Sequence, residues 1–172
     1  MPKSKVRAQS KTHRATAGNQ RKSVRRPAVS IRLDRIETWR VIADRWRDHE
    51  DAPDWFSGES GFGNISVSPE SDSQVAVAIE FQSRGEGNVA VLVEQVAFYD
   101  IADGDGARVD DTMSFLTTVG QDAATNIANQ AIVDIAPFMR EAVFSITHRI
   151  SPEPLFLDGA PALLPVGSLK KM

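Results

Sequence analysis

The side chains able to do chemistry are few and scattered. Histidine stands at His13, His49 and His148, without the HxxxH or HxH spacing that would set two imidazoles on one metal. Cysteine is absent, which excludes a disulfide framework, a thiolate nucleophile and any cysteine-ligated zinc or iron–sulfur centre. No Ser/His/Asp arrangement and no glycine-rich nucleotide loop is recognisable. Arg140 and Glu141 are adjacent, so on a helix they point to different faces; ion pairing between subunits or from helix to sheet suits them better than a shared catalytic task. His148 near a helix end reads as a cap that gains from the helix dipole when protonated. Trp39, Trp46 and Trp55 have the faces to stack on bases, but they lie in acidic sequence that repels nucleic acid. The pattern points away from an enzyme and requires neither metal nor cofactor.

The elements that carry these residues fit one domain: 172 residues with 41% hydrophobic and 25% charged is ordinary globular composition. The net charge of −3 conceals an asymmetry. Residues 1–27 hold nine lysines and arginines and no acid, which leaves 11 basic against 23 acidic residues over 28–172. The basic segment is poor in large apolar residues and reads as a disordered tail. As a solvated extension or early start codon it would do nothing; as a nucleic-acid contact it would bind phosphate, and its composition also fits an organellar transit peptide. It lacks the apolar region of a secretory leader, and no apolar run reaches the length of a membrane span. The expected location is the cytoplasm.

From Val29 the residues Val29, Ile31 and Leu33 alternate with polar neighbours as in a half-buried strand. Residues 34–47 admit two readings. Ile36, Trp39, Ala43 and Trp46 fall at helical spacing with an Asp34/Glu37 capping box, while a strand with a bulge accounts for them equally. Residues 48–63 have the composition of a long loop. A short strand carries Ile65 and Val67 and stops before Pro69. Gln74–Gln82 and Asn88–Ile101 form an antiparallel hairpin, in whose second strand Val89, Val91 and Val93 oppose Ala90, Leu92, Glu94, Val96 and Phe98. Both faces of that strand are apolar, and one helical layer covers one face, so the other is expected to pack against a second copy of the chain.

After the turn region Asp103 to Gly106, Asp110 and Asp111 precede a short apolar piece, Met113 to Val119, that an aspartate can cap. Gly120 interrupts it. Residues 121–150 then read as one long helix with a stripe of Ile127, Ala131, Ile135, Phe138, Ala142 and Ile146, which must kink or restart near Pro137. Pro152 and Pro154 close it, and Leu155, Phe156 and Leu157 follow as an extended apolar strip.

The segment Ala136-Pro137-Phe138-Met139-Arg140-Glu141-Ala142, continuing to Arg149 and followed by Pro152-Glu153-Pro154-Leu155-Phe156-Leu157, resembles the signature of SecB-type export chaperones. By order of elements the resemblance extends over most of 28–160. The chain ends soon after the Leu-x-Leu strip, as do the divergent SecB-like chaperones associated with toxin–antitoxin systems. The resemblance implies an α+β fold, a four-stranded antiparallel sheet with a long kinked helix packed on one face, assembled as a homotetramer that is a dimer of dimers. It implies an ATP-independent holdase for unfolded preproteins or an antitoxin, with Ile65, Val67, Leu155, Phe156 and Leu157 lining the client groove. Leu92, Val93 and Glu94 would then serve the oligomer interface or contact the SecA translocase motor. On this reading residues 1–27 are the basic tail, 28–160 the domain and 161–172 a short C-terminal tail. The rival reading is a nucleic-acid-associated protein acting through the basic tail.

Overall fold

The computed structural model describes residues 29–165 apart from Gly104, Asp158 and Ala160; the tail read at 1–27, Gly104 of the predicted turn, and residues 166–172 lie outside the described residues. Four strands precede one helix: β1 (Ser30–Arg45), β2 (Gly61–Ser71), β3 (Gln74–Gly85), β4 (Val89–Ala102) and α1 (Thr112–Ile150). All pairings are antiparallel, and the sheet order is β1-β4-β3-β2.

The ambiguity at residues 34–47 resolves as strand. β1 runs the full length of β4 because two register shifts, between Leu33 and Arg35 and between Thr38 and Arg40, each absorb one residue. Each shift restores the facing, so Ile36 pairs with Ala97 and Val41 with Val93, as Ile31 does with Ile101. β2 starts earlier than expected, at Gly61, and continues past Pro69, which pairs with Val75. A proline is tolerated there because β2 is an edge strand and a register irregularity follows it. The β3–β4 hairpin closes on Glu86-Gly87-Asn88, with φ of 70° at Gly87 and 56° at Asn88. Asn88 tolerates the left-handed conformation while its side chain bridges Arg84 and Asp48.

α1 begins on Asp111, whose carboxylate accepts from the Ser114 backbone amide at 2.9 Å and from its hydroxyl at 2.7 Å. Those bonds, the amide first, hold the Asp111 carboxyl below its ordinary value. The helix does not restart at Pro137, which is exposed and lies within helical backbone; the break is at Gly120, with φ 77° and ψ 179°. That conformation is open essentially to glycine alone. Gly120→Ala is therefore expected to lower stability by about 1–3 kcal/mol, seen as a lower urea midpoint at unchanged slope. An unchanged midpoint would show that the break is not strained by a side chain.

The core lies between α1 and one sheet face. Val77, Val91 and Val93 from the strands meet Ile127, Ala131, Ile135, Met139 and Val143 from the helix. Full burial of such side chains contributes about 1.5–3 kcal/mol each before entropy is counted. The predicted stripe is corrected at Phe138, which is 49% exposed on the outer side, because the i+4 steps from Ile135 lead to Met139 and Val143 instead. Tyr99 ties the layers together: its hydroxyl donates to Asp134 at 2.8 Å. Burial, reinforced by the carboxylate, pushes the phenol far above its ordinary value, so it stays a donor.

The second sheet face is less open than its composition implies. Ala76, Val96 and Phe98 form a small buried cluster of their own. The Arg35 guanidinium lies 3.7 Å over the Phe98 ring and also pairs with Asp34 and Glu37. Ala76, Val96 and Phe98 thus find cover within the chain. Large exposed apolar side chains include Trp39 on β1, whose indole donates to Glu37 at 3.1 Å, and Val133, Phe138 and Phe144 on α1.

Candidate functional site

A cleft of about 420 Å³ opens beside α1, a volume in the range of ligand sites. One wall is the helix: Ile132, Ile135, Ala136 and Met139, with Arg140 at its margin. A second is the edge of the sheet, where Phe62 of β2 pairs with Phe81 of β3 and the rings meet edge to face, centroids 5.6 Å apart. The third is the segment after the helix, contributing Phe156 and Leu157.

The sequence positions this third wall by stopping the helix and then refastening the chain to it. The Ser151 amide bonds back to the Thr147 carbonyl, and Pro152 and Pro154 prevent further helix. Thr147 is buried; its hydroxyl donates to the Val143 carbonyl at 2.7 Å and accepts the Leu155 amide at 3.0 Å. Leu155 can lie flat on β3 because residue 85 is glycine: a Cβ there would come within 2.4 Å of the Leu155 side chain. Phe156, 66% exposed, packs at a tilt against Phe144, ring centroids 5.0 Å apart, and Phe144 stacks in turn on His148 at 5.6 Å. Arg140 donates to the Gly159 carbonyl.

The structure distributes the residues singled out by the sequence. Phe156 and Leu157 stand in the cleft. Val67 is buried in the core, Ile65 is half-buried against it opposite Ile79, and Leu155 packs on the core beside Gly85, so these three lie outside the lining. Leu92 is buried on the second sheet face and Glu94 is half-buried between Arg40 and Glu80 in register. Val93 faces the helix and is wholly buried in the core, which places it inside the chain and away from a surface contact. Phe62, Phe81 and Met139 were not singled out as site residues. For Phe81 a signal existed, its face shared with Val75, Val77 and Ile79; Phe62 lay in what read as a loop.

The chemistry available is apolar burial. Among the described residues Arg140 is the one ionisable side chain in the lining, and no group of three or more His, Cys, Asp or Glu could hold a metal ion. No described helix is long and apolar enough to cross a membrane. The cleft can cover aromatic and aliphatic side chains, and its carbonyls and exposed edge strand can meet backbone groups.

The fold is that of the SecB-like chaperones. It matches the solved structure of the Mycobacterium tuberculosis SecB-like chaperone Rv1957, in complex with a ChAD peptide from the Rv1956 HigA1 antitoxin, with a TM-score of 0.54 and 22% identity over 78% of this chain and 93% of that one. The resemblance read from the Pro137 to Leu157 signature and the likeness in fold agree. No family model matches the sequence, and no curated protein matches it.

Proposed function

We propose that the chain is a molecular chaperone that works without ATP and holds unfolded polypeptide in the cleft between α1, the Phe62–Phe81 edge and the Phe156-Leu157 strip. The observation that carries this reading is the cleft itself: an open site walled by aromatic, isoleucine and methionine side chains. Aromatic and methionine walls tolerate many sequences, which a holdase requires. The fold shared with a chaperone that binds an antitoxin peptide supports an antitoxin as a client, with unfolded preproteins as the broader class.

The assembly that goes with this function is a homotetramer in the cytoplasm. Val133, Phe138 and Phe144, exposed on the outer side of α1, supply apolar surface for contact between copies. Leu92 and Glu94, on the second sheet face, are the positions for a further contact with a copy or with a translocase motor.

The test is light scattering from a heat-denatured reporter protein without nucleotide. Stoichiometric chain is expected to suppress most of the scattering, at an affinity of about micromolar or better. Full aggregation in the presence of several equivalents of chain contradicts the reading. Tetrameric mass in the same preparation supports the assembly, and a monomer removes it.

A further inference from the structure

Beyond Leu157 the chain turns back along the helix it has just left. Successive contacts step from the C-terminal end of α1 toward its middle: Leu155 at Thr147, Gly159 at Arg140, Leu164 at Asn129. The described residues of this segment have no helix or strand, and Pro161 and Pro165 favour extended backbone on either side of Ala162-Leu163-Leu164. Pro161 and Ala162 stand in the lining of the cleft.

The contact at Asn129 is two-way. Its Oδ1 accepts from the Leu164 amide at 2.7 Å, and its Nδ2 donates to the Leu164 carbonyl at 3.1 Å. A carboxamide carries the donor and acceptor of a peptide group, so Asn129 reads one residue of extended backbone whatever its side chain. The Leu164 side chain meanwhile packs, half-buried, against the core. Backbone read by a polar group beside a partly covered aliphatic side chain is how an extended peptide is held without regard to sequence.

We infer that residues 161–165 are a built-in competitor, filling an extended-peptide subsite on α1 centred on Asn129, which unfolded polypeptide enters by displacing them. The inference rests on the reading of the cleft as a polypeptide site and extends it along the helix. Release is cheap: Ala162, Leu163 and Pro165 are exposed, and a segment with few buried contacts opens at low cost. The affinity for client is then lowered by the fraction of molecules in which the segment is seated.

The absence of cysteine makes the test clean, since Asn129→Cys with Leu164→Cys introduces the chain's only thiols. The full-length double variant, oxidised and then reduced, is titrated by fluorescence anisotropy into labelled, reduced and carboxymethylated α-lactalbumin, a chain that stays unfolded. The oxidised form is expected to bind about tenfold or more weakly than the same protein after reductant, and Leu164→Ser, which keeps Asn129, to bind about threefold or more tightly than the parent. Equal affinity before and after reduction, or no gain in Leu164→Ser, overturns the competitor. Failure of the parent itself to bind the unfolded chain overturns the chaperone reading instead.

Discussion

Phe156→Ser combined with Leu157→Ser is expected to abolish holding of unfolded polypeptide while the chain still folds. Phe156 is largely exposed, so its removal leaves the free protein with little lost beyond its ring contact with Phe144. Leu157 is half-buried and costs somewhat more. Against a bound client both side chains would be covered, and each lost contact removes about 1–3 kcal/mol, together roughly 30-fold or more in affinity. The measurement pairs aggregation suppression with thermal melting. Suppression as strong as the parent's would remove both residues from the site, and a variant that no longer folds would assign them to the core.

Val93→Asp is expected to unfold the chain outright. Val93 is completely buried between β4 and α1, in contact range of the Val91, Ile135 and Met139 cluster, so a carboxylate there has neither water nor a partner. Losses above about 4–5 kcal/mol are characteristic of such burial and consume much of the 5–15 kcal/mol that holds a domain together. Circular dichroism and a urea titration read the outcome. A folded Val93→Asp monomer would instead locate Val93 in a contact between copies, contrary to its place under the helix.

The β3–β4 hairpin and the long helix were legible because each keeps a period: two from Val75 to Phe81, and three to four from Ile127 to Ile135. β1 was only half legible. Its two register shifts break the alternation, and the displaced apolar residues fall at a helix-like spacing that no local propensity resolves; only pairing with the full length of β4 decides it. The break at Gly120 was visible as a glycine but outweighed by Pro137, which lies on the exposed side of the helix within helical backbone. The C-terminal strip was legible through the Pro-rich helix exit and the SecB-type signature. Its partners across the cleft were not, because Phe62 reaches Phe81 only through the β2–β3 pairing. Nothing in the local sequence around Asn129 signals a residue 35 positions away.

The claim at the centre is that unfolded polypeptide enters this cleft. Methyl-labelled full-length chain, titrated with carboxymethylated α-lactalbumin and followed by NMR, addresses it residue by residue. The methyl signals of Ile132, Ile135, Met139 and Leu157 are expected to shift, while those of Val75 and Val77, buried in the core outside the cleft lining, stay in place. Unmoved cleft methyls at saturating client, or shifts confined to Leu92 and Val96 on the second sheet face, would contradict it.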